Sequence, residues 1–144
     1  MSKPSQPFIE PVRLEQIRAN AAFVTEQLTS FADAPFRYDA TSVKWLEGFI
    51  ERQRVRDDFD HDGLVSTLGS WLGEAIAHTT PAARWIDHPE HGLCLVFPND
   101  QACFPFAKVH KQLEKGVEAG ESIASFFMIA TTILASRDFG QSML

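Results

Sequence analysis

Leu68-Gly69-Ser70-Trp71-Leu72-Gly73-Glu74 places two glycines one helical turn apart inside an apolar helical pattern. An interior glycine costs a helix roughly 1 kcal/mol relative to alanine, so the pair gives up about 2 kcal/mol. The close approach of another backbone segment offsets that loss, and the stretch marks where the fold is tightest. At about 100° per residue, Leu64, Val65, Leu68, Trp71, Leu72, Ala75 and Ile76 fill one broad arc of a helix over 63–78. The small residues Ser66, Gly69, Gly73 and Ala77 lie beside that arc, and Thr67, Ser70, Glu74 and His78 form the remaining polar one. A helix apolar over so wide an arc is expected to be central, flanked on more than one side.

The elements on either side follow from the same patterning. Leu14, Ile17, Ala21, Val24, Leu28 and Phe31 recur at spacings of three and four, the buried stripe of a first helix. Pro35 ends it, because a residue before proline avoids helical angles. Asp39 is a suitable N-cap for a second helix, with Val43, Leu46, Phe49 and Ile50 as its stripe and Trp45 near the edge. Beyond the central helix, 83–86, 93–97 and 102–104 read as three short strands of an antiparallel meander, joined by turns at 87–92 and 98–100. Leu93, Leu95 and Phe97 share one face of the middle strand, and Cys94 and Val96 the other. Pro105 opens a fourth helix with Phe106, Val109 and Leu113 inside, and Gly116 closes it. Glu121 or Ser122 starts a fifth, apolar almost all round, filled by Ile123, Phe126, Phe127, Ala130, Ile133 and Leu134.

The expected fold class is therefore α+β: two N-terminal helices packing on a central glycine-containing helix, a three-stranded antiparallel meander, and two C-terminal helices. Residues 1–11, with Pro4, Pro7 and Pro11, read as a flexible arm, 12–136 as a single domain, and 137–144 as a loose tail. A chain of 144 residues suffices for one domain with a real core.

Charge and composition narrow the function classes. A net charge of −6 disfavours nucleic acid and anionic membrane surfaces, which need a basic face. The longest uncharged run, 122–136, is too short for the ~20 residues of a membrane span. Residues 1–6 have no apolar segment behind them of the kind a secretory signal requires, so a cytoplasmic location is expected. Cys94 and Cys103 make no disulfide framework and are expected as reduced, half-buried thiols.

Several residue constellations suggest chemistry, each against a plainer structural role. Asp58, Asp60 and Asp62 with Gly63 match the first half of an EF-hand loop, but the twelfth position, which must supply a bidentate glutamate, is Gly69. Capping and the helix dipole account for the same acids. His61-Asp62 could belong to a metal-dependent hydrolase, yet no His-x-x-x-His, Cys-x-x-Cys or His-Glu-x-x-His pattern accompanies it. Glu74 and His78 stand four residues apart on the polar arc and can touch, so a cleft there would hold an acid/base couple; a solvated surface pair is the plainer reading. Lys108, Lys111 and Lys115 form a basic stripe, interrupted by Glu114 and expected near a helix C-terminus anyway. Trp85 leads a hairpin apolar on both faces, which would suit a partner at an uncovered face or a free edge. No nucleophile elbow, phosphate loop or dinucleotide fingerprint is present, and no cofactor is expected.

The glycine helix 68–74, then Arg84-Trp85, Phe97-Pro98 and Pro105-Phe106-Ala107-Lys108-Val109, resemble small uncharacterised bacterial cytosolic domains with an LGxxLGE helix, a Trp-led hairpin and a PFxKV helix. That resemblance covers about 40–130 and implies no activity or site. Taken together, the residues point to a non-enzymatic binding or protein-interaction module, with a protein partner or homodimerisation through the fifth helix or a sheet edge. The alternatives are a small hydrolase-like enzyme using Glu74 and His78 in a cleft, and a degenerate calcium module at Asp58–Asp62.

Overall fold

The computed structural model describes residues 9–32, 34–56 and 60–134, with the backbone alone for 133 and 134. The expected arm as far as residue 8, the expected tail, Asp58, and the side chains of Ile133 and Leu134 lie outside the described residues. The chain is α+β: the described residues form five α-helices and a three-stranded antiparallel sheet.

Helix α1 (Pro11–Ala32) begins inside the stretch expected as an arm. Proline suits a first helical position because its missing N–H has no partner there, and Ile9 just before it already packs on the core. Ile17, Ala21, Val24 and Leu28 are buried as expected, but Phe31 is 72% exposed. Phe36 fills the core at that end instead: its N–H donates to Thr29 Oγ1 at 3.2 Å and its ring lies 5.0 Å from that of Trp71.

Helix α2 (Ala40–Arg54) starts where Asp39 accepts from the Ser42 N–H at 2.9 Å, the expected cap. Its buried stripe, Val43, Leu46 and Ile50, faces α4 and α5 rather than the central helix, a placement the sequence reading did not foresee. The reason is polar: Glu47 and Glu51 on the same helix bind groups of the C-terminal elements.

Helix α3 (His61–Thr79) is the central one, with α1 along one side and α4 along another. Every residue from 68 to 76 is buried, including Ser70 and Glu74 from the arc expected to face solvent. Ser70 is satisfied within the helix, its hydroxyl donating to Ser66 O at 2.8 Å. A methyl group on Gly69 would overlap the Phe106 ring and lie 3.0 Å from that residue's Cα. One on Gly73 would overlap the Trp85 indole and lie 3.3 Å from Pro105 Cγ. The two seated rings also meet each other, centroids 5.9 Å apart. The glycines therefore seat the hairpin and α4 on α3, and dispersion over these contacts offsets the lost helix propensity.

Strands β1 (Arg84–His88), β2 (Gly92–Val96) and β3 (Ala102–Cys103) run in the order β1-β2-β3, all antiparallel. Asp100 takes the left-handed conformation, φ 68°, in the turn between β2 and β3. Trp85, Leu95 and Cys103 stand opposite one another across one face, which α3 and α4 cover. Ile86, Cys94 and Val96 form a small cluster on the other face, with Phe104 against them. The cysteines thus lie on opposite faces as free thiols, and both are fully buried rather than half-buried. Burial pushes the Cys103 thiol up to about 12 and raises Cys94 as well.

Helix α4 (Pro105–Lys115) opens on Pro105 and ends at Gly116 in the left-handed region, φ 86°. A 3-10 turn (Val117–Ala119) leads to α5 (Ile123–Met128), where the Ser122 hydroxyl accepts from the Ser125 N–H at 3.0 Å. The fifth helix then widens into a π-helical segment (Ile129–Leu134). No helix among the described residues is long and apolar enough to cross a membrane.

Candidate functional site

Glu74 follows directly on the glycine that seats Trp85, and the two facts are coupled. With the indole against Gly73, its Nε1–H reaches the next side chain along the helix and donates to Glu74 Oε2 at 2.9 Å. The residue is only 5% exposed. Burying a carboxylate is costly unless its oxygens find partners, and a hydrogen bond to a charged group contributes about 1.5–3 kcal/mol.

Among the described residues the other oxygen has no such partner. Glu74 Oε1 lies 3.8 Å from Arg18 Nε, an ion pair, and 3.8 Å from His78 Nε2, both too far for a direct hydrogen bond. Glu74 lines an open cleft of about 650 Å³ together with Arg18, Tyr38, Ala77, His78, Pro81 and Ala83, so both side chains near Oε1 belong to its wall. The Tyr38 and His78 rings lie over one another, centroids 4.4 Å apart. Burial raises the Tyr38 phenol above its usual value; the Thr25 hydroxyl opposes this and the Glu74 charge adds to it. Thr25 in turn accepts from Trp71 Nε1 at 3.1 Å, which ties the wall to the core.

The structure therefore brings together Glu74, His78 and Trp85, but not in the roles their spacing suggested. Glu74 and His78 are no solvated surface pair, because the carboxylate is buried. Trp85 is no exposed docking residue, because its ring is spent on Gly73 and its N–H on Glu74. Sequence reasoning missed Arg18 and Tyr38. Arg18 lies one position past buried Ile17, at the edge of the α1–α3 contact, and Phe36 and Tyr38 put two aromatic rings in a loop only a few residues long. A loop so aromatic folds back on a core, and that signal was readable.

The remaining candidates do not converge. The helix begins at His61, so most of the calcium-like loop is α3, and helical backbone cannot wrap its ligands around one ion. Asp60 occupies the N-cap position without making a side-chain cap bond, so the capping role expected for it is absent; Asp62 lies in the first turn, where the dipole favours it. Gly69, at the loop's twelfth position, is buried under Phe106. No group of three or more His, Cys, Asp or Glu that could hold a metal occurs among the described residues. Lys108 on the basic stripe is paired with Glu121 at 2.8 Å. Compared with known proteins, the chain matches no family model, no curated protein and no solved structure.

Proposed function

We propose that this chain is a non-enzymatic binding module whose site is the cleft floored by Glu74. One observation carries the reading: a buried carboxylate in the lining of an open concavity keeps one oxygen bonded and leaves the other without a direct donor, beside two side chains of the same lining. Its volume falls within the roughly 300–1,000 Å³ of small-ligand pockets, and convergent polar groups on a rigid floor are what such a pocket needs. Glu74 and Trp85 come from packed elements, so the acceptor is preorganised, while Arg18 and His78 can adjust.

The test is a panel of charged and polar small molecules followed by the assigned Trp85 indole N–H resonance, which reports on the carboxylate it bonds. A saturable shift with at least one compound, lost in Glu74→Gln, is the expected result. Binding that survives Glu74→Gln unchanged, or no shift across the panel at millimolar concentrations, contradicts the proposal. Turnover of a bound compound, abolished by His78→Gln, would favour the second reading, an acid/base couple, which rests on His78 Nε2 lying 3.8 Å from Glu74 Oε1. Buried free cysteines are consistent with the cytoplasmic placement in this proposal.

A further inference from the structure

We infer that the ligand of this cleft is a zwitterion of amino-acid type, its ammonium on Glu74 and its carboxylate on Arg18. The inference rests on the cleft being the binding site, and it adds the chemical class.

Glu74 Oε1 is an acceptor only, more than nine-tenths buried with its residue, next to two other residues of the cleft lining and without a direct hydrogen bond. A group rich in N–H donors satisfies it best, and an ammonium offers three. Arg18 approaches that oxygen through Nε, and its terminal nitrogens make no hydrogen bond among the described residues. Its side chain is 63% exposed, so the fork is free to turn. A guanidinium fork matches the two oxygens of a carboxylate.

The spacing decides between one ligand charge and two. An anion alone would meet Arg18 but be repelled by Glu74, and a cation alone would meet Glu74 but crowd Arg18 and His78. In an α-amino acid the ammonium nitrogen and the carboxyl carbon are about 2.5 Å apart by standard bond lengths. Glu74 and Arg18 present opposite charges 3.8 Å apart. A zwitterion laid across them puts each ligand charge beside its opposite, two dipoles antiparallel. The walls beyond, Ala77, Pro81 and Ala83 with the Tyr38–His78 rings, leave room for an apolar or aromatic side chain.

Glycine, L-alanine, L-leucine and L-phenylalanine are titrated into the full chain beside propionate, isopentylamine and N-acetyl-L-leucine, with the Trp85 indole N–H as readout. At least one amino acid is expected to shift it saturably. Removing either charged end should weaken binding by about 10- to 100-fold, the size of one charged hydrogen bond. Arg18→Gln, a change at an exposed side chain, should weaken the amino acid by the same factor and strengthen isopentylamine, which no longer meets a like charge. Equal affinity for isopentylamine and L-leucine overturns the zwitterion while leaving a cation-binding cleft. No shift with any of these probes at tens of millimolar also overturns it; the broader panel then shows whether another class binds in a Glu74-dependent way or the cleft reading falls too.

Discussion

Lys108 and Glu121 come from two elements, and their charged groups stand 2.8 Å apart. The hydrogen bond from Lys108 holds the Glu121 carboxyl below its usual range, and the charges of Lys108, Lys111 and Lys115 act in the same direction. A carboxyl depressed in the folded state is protonated first in the unfolded chain. Its stabilising contribution is therefore complete above the ordinary carboxylate pKa of about 4.3 and is lost as pH falls through the lower folded value. Urea midpoints of the wild type and Lys108→Met should differ at pH 7 and converge as the pH drops below about 4. A gap that stays constant to pH 3 contradicts the assignment. The sequence shows the lysine stripe but not its partner, because Glu121 reaches it only once the turn after Gly116 has reversed the chain. Residue type likewise misplaced Ser70 and Glu74: a wheel assigns polar side chains to solvent, whereas a helix packed on most sides buries those that find a bond.

At the scale of elements, one glutamine on α4 ties two others to its own helix. Gln112 on α4 is fully buried. Its Nε2 donates to Glu47 O at 3.1 Å and to Glu51 Oε2 at 2.8 Å, and its Oε1 accepts from Ile123 N at 3.0 Å. Glu47 completes the join, accepting from the Ser122 hydroxyl and from Ala124 N at the start of α5. These bonds hold α2 against the C-terminal elements. Gln112→Leu should keep the volume but strand these groups, lowering unfolding free energy by about 2–4 kcal/mol with an unchanged m-value in urea. A loss under about 0.5 kcal/mol would show that the network contributes little. None of this is legible from periodicity, since Gln112 sits beside Leu113 on a helix whose pattern marks only Phe106, Val109 and Leu113 as inner. Caps, by contrast, were legible: Asp39, Pro105, Gly116 and Ser122 each depend on a local backbone need. In the π-helical end of α5 the Thr131 and Thr132 hydroxyls donate to Phe127 O at 2.8 Å and Met128 O at 2.5 Å, back-bonding that bends helices.

Over the whole molecule, α3 supplies the dented rod on which α1, α4 and the hairpin sit. The order of helices and strands could be read because each element announces its own period and its own stops. The cleft could not, since it is assembled from α1, the loop before α2, α3 and the segment leading into β1. Its floor nevertheless depends on the feature the sequence shows most clearly, the pair of glycines that lets Trp85 and Phe106 lie against the helix. Gly48 on α2 is a control within the same chain, because a methyl there would make only an ordinary 3.5 Å contact with Arg52. The deciding measurement is urea unfolding of Gly69→Ala/Gly73→Ala beside Gly48→Ala. The overlaps with the Phe106 and Trp85 rings put the overpacking cost at about 2–3 kcal/mol per site, so after about 1 kcal/mol of regained helix propensity each the double variant should lose about 2–4 kcal/mol in all, while Gly48→Ala stays level or gains up to about 1 kcal/mol. A double variant as stable as Gly48→Ala would contradict the account.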